Sequence, residues 1–165
     1  MQENKVQLEI LTTGGTIDKI YFDAKSDYEI GDPQIVELLQ DANLTVAYQV
    51  RSLLKKDSLE LTDSDRQNIR QAVADSPAEQ IVITHGTDTM IKTANVLQGI
   101  AGKTVVLTGA MQPARFRFTD AIFNVASAIT AVQTLRPGVY IAMNGRIFDP
   151  AHTRKNVALN RFEET

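Results

Sequence analysis

Two short segments of this chain gather hydroxyls, glycines and a carboxylate at spacings that could support nucleophilic chemistry. The first is Leu11-Thr-Thr-Gly-Gly-Thr-Ile17. Its Gly14-Gly15 pair allows backbone conformations closed to other residues and lets a ligand approach closely. Thr13 and Thr16 flank the pair and would present hydroxyls beside exposed amides. The second is His85-Gly-Thr-Asp-Thr89, between an apolar run and a helical pattern. Each also has a plainer reading. The first could be a turn whose threonines bond their own backbone. The second could be a helix cap in which Thr87 or Asp88 accepts from free amides. Phosphate binding is poorly supported, because Gly-x-x-x-x-Gly-Lys-[Ser/Thr] and Gly-x-Gly-x-x-Gly are both absent. Lys155, in Thr153-Arg-Lys-Asn156, reads alone as a solvated charge. Beside Asp88 and a threonine it could help deprotonate a hydroxyl that is otherwise far too weak an acid at neutral pH. His85 reads as structural, since no serine and paired carboxylate of a hydrolase triad surround it.

These segments need strands and helices to aim them. Val6–Leu11, Leu44–Leu53, Gln80–Thr84, Lys103–Leu107 and Gly138–Met143 read as strands, with Thr12–Thr16 as a tight loop. Between them lie helical patterns. Asp32-Pro33 is read as cap and first-turn proline ahead of Ile35, Leu38, Leu39 and Ala42. Thr62-Asp-Ser-Asp65 resembles a capping box ahead of Ile69, Ala72 and Val73. Met90, Ala94 and Leu97 mark a third helix, and Ala121–Leu135 a fourth. Continuously apolar strands alternating with amphipathic helices indicate a doubly wound α/β domain: a mostly parallel sheet with helices on both faces, in three Rossmann- or flavodoxin-like layers. Right-handed crossovers put all strand carboxyl ends on one edge, where ligands bind. The segments Thr12–Thr16, Ser52–Ser58, His85–Thr89 and Thr108–Pro113 all fall on that edge.

Composition narrows the classes. A chain of 165 residues with 43% hydrophobic and 22% charged residues is ordinary globular material, expected as one domain over 1–165. A net charge of −3 gives no reason to expect nucleic acid or an anionic membrane as partner. With no cysteine, disulfides, thiolate metal sites and a cysteine nucleophile are excluded; two histidines make a histidine-rich zinc site a poor expectation. No apolar run approaches the roughly 20 residues of a membrane span. The N-terminus lacks signal-peptide features, so a cytoplasmic location is expected.

Taken together, Leu11-Thr-Thr-Gly-Gly-Thr-Ile17, Thr84-His-Gly-Thr-Asp-Thr-Met90 and Thr108-Gly-Ala-Met-Gln-Pro113 resemble the signatures of the bacterial-type L-asparaginase/glutaminase family, specifically its N-terminal domain. The resemblance runs from about Leu8 to about Phe162. It implies Thr16 as nucleophile, assisted by Tyr28 on a mobile lid. It implies Thr87 and Asp88 as a second catalytic pair, with Lys155 as their partner. Ser58 would hold a substrate carboxylate, and Gly15, Gly86, Leu59 and Ala110 would complete the substrate-binding surface. The implied reaction is threonine attack on a side-chain amide of L-asparagine or a relative, releasing ammonia and then the acid. Amides near Thr87 would form the oxyanion site, and no cofactor or metal is implied.

The chain departs from the family in three respects. Family members carry a second domain, whereas this chain stops shortly after Lys155, so a domain standing alone is expected. Leu59 and Glu60 stand where the family has a polar residue and Asp. Ala114-Arg-Phe-Arg-Phe-Thr119 replaces small and hydroxyl residues. An apolar side chain facing a substrate ammonium leaves it unpaired, at about 1–3 kcal/mol. Three readings follow: an amidohydrolase completed by self-association, a binding or regulatory module with weak or no turnover, or a fragment of a longer enzyme. A homo-oligomer is expected, with Phe116, Phe118 and Phe148 as candidate contacts.

Overall fold

The apolar runs become the spine of one sheet in the computed structural model of the chain, which describes residues 7–165. Strand β1 (Leu8–Gly14) leads into a hairpin of β2 (Lys19–Phe22) and β3 (Asp27–Ile30). Next come α1 (Ile35–Asp41), β4 (Tyr48–Lys56), α2 (Asp63–Asp75), β5 (Gln80–Thr84), α3 (Met90–Val96) and β6 (Thr104–Thr108). The chain continues through α4 (Ala121–Val132), β7 (Gly138–Met143), β8 (Arg146–Phe148) and a second hairpin, β9 (Thr153–Asn156) with β10 (Arg161–Glu164). The main sheet has the order β4-β1-β5-β6-β7-β8. Its first five strands are parallel and β8 runs antiparallel to β7.

Alternation along each strand feeds two cores. Leu8, Ile10, Val82, Val106 and Ala142 face α1 and α4, meeting Ile35, Leu39, Ala121, Val125 and Ile129. Leu11, Ile81, Ile83, Val105, Leu107 and Ile141 face α2 and α3, meeting Ile69, Val73, Met90, Ala94 and Leu97. A sheet buried on both faces explains why these strands read as unbroken apolar runs. The three-layer α/β architecture is the one read from the sequence.

The strand order has a functional consequence. After β1 the chain adds β4 on one side, then crosses back to add β5 on the other. The order therefore reverses between β1 and β5, and a crevice opens at their carboxyl ends. The loops that follow these two strands are the ones rich in threonine and glycine.

Several details differ from expectation. Val6, placed in the first strand, lies outside the described residues. β1 extends through the expected loop as far as Gly14, with a bulge against β4 between Thr12 and Gly14. β4 is displaced toward its carboxyl end and closes at Lys56, because Leu44 and Val46 pack as coil against the first core. Asp32 is not a helix cap: α1 starts at Ile35, and Asp32 instead pairs with Lys55 at 2.5 Å. The capping box at Thr62 is formed, with Asp65 completing it. Phe148 is no surface contact; it is 1% exposed and packs on Phe162 in the second core. Among the described residues, no helix is long and apolar enough to cross a membrane.

Candidate active site

Two glycines bring the β1 and β5 loops together. Gly15 has φ +89°, and a Cβ placed there would lie 2.5 Å from the backbone of Gly86. A Cβ at Gly86 would in turn lie 2.6 Å from the side chain of Ser58. Three loops therefore touch where a side chain at either glycine would hold them apart. Thr16 and Thr87 each follow one of the abutting glycines. Thr16 is half-buried and opens a single 3-10 turn, Thr16–Asp18. Its neighbour Thr13 is buried and anchors the loop, donating to the carbonyl of Thr84 at 2.8 Å.

The β5 loop carries most of the polar chemistry. Lys155 Nζ donates to Thr87 Oγ1 at 2.8 Å and to Asp88 Oδ1 at 2.7 Å. Lys155 arrives from β9, which is braced against β10 by cross-strand bonds of Arg154 and Asn156 to Glu163, with Arg161 pairing to the same carboxylate within β10. Those arginines and Asn156 hold the Glu163 carboxyl below its usual range, with the Arg161 hydrogen bond the largest cause. Because the ammonium fills a lone pair of Thr87 Oγ1, the hydroxyl proton is free to point into the crevice. The same ammonium would stabilise negative charge developing on that oxygen or on a neighbouring water. Among the described residues, no group accepts from the backbone N–H of Thr87, although the residue is buried. A free donor in that position suits a ligand oxygen.

Ser58 sits on the third side, buried in a 3-10 turn after β4. Its Oγ accepts from the N–H of Thr89 at 3.3 Å, and its carbonyl accepts from Thr89 Oγ1 at 2.8 Å. Leu59 beside it is 72% exposed. Tyr28 lies on β3 opposite Tyr21, its ring edge-on to Tyr21 and Phe116. No hydrogen bond joins its hydroxyl to Thr16 among the described residues. Ala110 is buried in the first core with Ile17 and Ala121, so it offers the crevice backbone rather than side chain. The structure thus gathers Gly15, Ser58, Gly86, Thr87, Asp88 and Lys155. Thr16 stands beside them on the abutting loop, while Leu59 and Tyr28 occupy the exposed rim.

Two contributors, Arg66 and Thr93, escaped the sequence reading, and both bear on His85, which was read as structural. Arg66, 2% exposed on α2, donates to Thr93 Oγ1 at 3.1 Å, Leu61 carbonyl at 2.9 Å and Thr89 Oγ1 at 2.9 Å. Thr93 and Thr89 receive those bonds beneath the β5 loop. One signal was present: Arg66 falls three residues before Ile69, so it shares the buried stripe of α2 with Ile69 and Val73. His85 is fully buried, with Nδ1 2.6 Å from the Gly86 carbonyl and Nε2 2.8 Å from Thr93 Oγ1. Burial, followed by the charge of Arg66, lowers its pKa to about 4 against the Gly86 hydrogen bond that raises it. It is neutral at physiological pH. Among the described residues, no three His, Cys, Asp or Glu side chains group as metal ligands.

Residues 7–163 match the family described as Asparaginase, N-terminal. The L-asparaginase of Thermococcus kodakarensis is 31% identical, covering 96% of this chain and 51% of that protein. A glutamyl-tRNA(Gln) amidotransferase component of Methanococcus vannielii is also 31% identical, over 88% of this chain and 36% of its own length. The crystal structure of L-asparaginase I from Vibrio cholerae superposes with a TM-score of 0.82 at 26% identity, covering 97% of this chain and 51% of that one. The chain thus spans about half the length, or less, of the curated relatives it matches.

Proposed function

The chain belongs to the asparaginase family, through that family's N-terminal domain, and on this premise we propose that it is an amidohydrolase acting on the side-chain amide of L-asparagine or a related amino acid. The Thr16 hydroxyl attacks the amide carbonyl, with Tyr28 assisting its loss of a proton once the β2–β3 hairpin swings in. The C–N bond breaks, ammonia leaves with the transferred proton, and an ester to Thr16 remains. Water oriented by Thr87, Asp88 and Lys155 then attacks that ester, regenerating the threonine and releasing the acid. The free N–H of Thr87 receives the carbonyl oxygen in both steps, and a donor of that kind is worth about 3 kcal/mol. Ser58 takes the substrate carboxylate, and the backbones of Gly15, Gly86 and Ala110 complete the pocket. No cofactor enters this chemistry, and a cytoplasmic location goes with it.

The observation that carries this reading is the pair of bonds from Lys155 Nζ to Thr87 Oγ1 and Asp88 Oδ1, spanning 68 and 67 residues. The Lys155 side chain is 14% exposed, so its charge acts on Thr87 and Asp88 with little screening by solvent. Ammonia release from asparagine, glutamine and related amides tests it. Turnover is expected, abolished in Thr16→Ala and Thr87→Ala; background release in the unaltered chain overturns the reading.

One observation favours a second reading, a binding or regulatory module. Leu59, next to Ser58, turns an apolar side chain to the rim, and Phe118 is 80% exposed nearby in sequence to the Asp120 that caps the β6 loop. A copy of the chain packed on either residue would bury it, so self-association accompanies either reading. Aspartate that raises the melting temperature of a chain releasing no ammonia would select the module.

A further inference from the structure

Arg66 is a buried cation without an anion. All three of its acceptors are neutral, and among the described residues no carboxylate lies within ion-pair distance of it. A guanidinium so placed is costly, and its field acts on whatever it touches in a poorly screened interior. What it touches leads to the site in two directions.

The first path can be assigned proton by proton. The Gly86 carbonyl only accepts, so His85 Nδ1 must carry the hydrogen of their 2.6 Å contact. In the neutral ring Nε2 is then an acceptor, and Thr93 Oγ1 at 2.8 Å must donate to it. Thr93 Oγ1 in turn accepts from Arg66 Nε at 3.1 Å. Every donor therefore points the same way, from Arg66 through Thr93 and His85 to the Gly86 carbonyl. That carbonyl shares its peptide group with the N–H of Thr87, the free donor of the crevice. Hydrogen bonds aligned in series polarise one another, and donation onto a carbonyl makes the N–H of the same peptide more acidic. On the second path, Arg66 donates to Thr89 Oγ1 at 2.9 Å, which donates to the Ser58 carbonyl at 2.8 Å.

We propose that Arg66 is a positioning residue for the site: through Thr93 and His85 it polarises the Gly86–Thr87 peptide toward an oxyanion, and through Thr89 it fixes Ser58 across the crevice. The kinetic half of this inference rests on the amidohydrolase reading; the hydrogen-bond chain does not. Arg66, Thr93 and His85 touch no substrate, so their influence passes entirely through the Thr87 amide and Ser58.

Nitrogen-15 NMR of the intact chain tests the relay independently of turnover. In the unaltered protein His85 is expected as the Nδ1–H tautomer. Thr93→Val removes the one hydroxyl that joins Arg66 to His85 while keeping shape, and it moves the Thr87 amide nitrogen upfield. Thr93→Ser restores it. Arg66→Met does the same as Thr93→Val and additionally shifts Ser58; if it fails to fold, the Thr93 pair still decides. In kinetics, Thr93→Val lowers kcat about tenfold at constant KM, a fraction of the value of a whole oxyanion donor, and Thr93→Ser recovers it. An Nε2–H tautomer, or a Thr87 amide indifferent to Thr93→Val, overturns the proposal. Absence of turnover in the unaltered chain, with the NMR response present, overturns the amidohydrolase reading and leaves the relay standing.

Discussion

The two flanks of the crevice are built on opposite principles. On the β5 flank, most polar side chains have a fixed partner. Lys155 holds Thr87 and Asp88, Arg66 holds Thr89 and Thr93, and His85 is closed in with both ring nitrogens engaged. On the β1 flank, the hairpin β2–β3 pairs only with itself and stands apart from the main sheet. Tyr21, Phe22 and Tyr28 are exposed, Tyr28 resting edge-on against Tyr21 and Phe116, and Lys25 pairs with Glu29 in solvent. Charge chemistry needs groups that do not reorganise as charge moves, so it belongs on the first flank. A hairpin with few buried contacts opens at little cost, so the proposed reaction would admit its substrate on the second. A rigid wall faces a movable one.

The largest test of this contrast removes the cation of the rigid flank. Lys155→Met leaves Asp88 and Thr87 without their donor, and ammonia release should fall about 10³-fold. Nearly normal turnover in that variant would show that the flank is braced for another purpose.

A smaller effect separates the flanks by pH. Asp18 roots the hairpin: its carbonyl accepts from Gly31 N–H and its carboxyl from Gln34 N–H, both within 3 Å. Burial pushes its pKa from 3.8 up to about 7 against the Gln34 bond and the Lys55 charge, which lower it. The folded chain therefore binds this proton more tightly than the unfolded chain. The stability it contributes is complete below about pH 4 and is lost as pH rises through 7. His85 has the opposite sign. Its folded pKa of about 4 lies below the ordinary 6.5, so its contribution is complete above 6.5 and is lost as pH falls through 4. Hydrogen exchange should thus find the hairpin root loosening toward neutral pH and the β5 loop loosening only in acid. Asp18→Asn should remove the first response and stabilise the chain at pH 8 by roughly 2–4 kcal/mol. A hairpin that exchanges identically at pH 5 and pH 8 would break the contrast.

The smallest change is expected at the rim. Tyr28→Ala should lower turnover about tenfold, as loss of one assisting group does, while costing under about 1 kcal/mol of stability by calorimetry. A large stability loss would mean that the hairpin is part of the wall after all.

The fold was legible where burial is two-sided. Gln80–Thr84 and Gly138–Met143 match their strands end to end, because a strand covered on both faces leaves an unbroken apolar run. The hairpins were not legible. Lys19–Phe22 and Asp27–Ile30 bury none of their residues fully, so neither alternates. β9 and β10 set Arg154 opposite Glu163 and carry no apolar run, so no strand was read there. In the site, the meeting of Lys155 with Thr87 and Asp88 was expected from family resemblance, since 68 residues of separation leave no local trace. Arg66 was missed for a related reason. Its burial is decided by the β5 loop lying above α2, not by the helix that carries it.

The position of Lys155 also divides the chain. Every strand of the main sheet and the threonine loops precede it, whereas Phe162 of the second core follows it. Lys155 is the only cation that Asp88 and Thr87 contact among the described residues. The hairpin β9–β10 is thus a clasp with two ends: Phe162 closes the core under the sheet, and Lys155 carries charge to the loop above it.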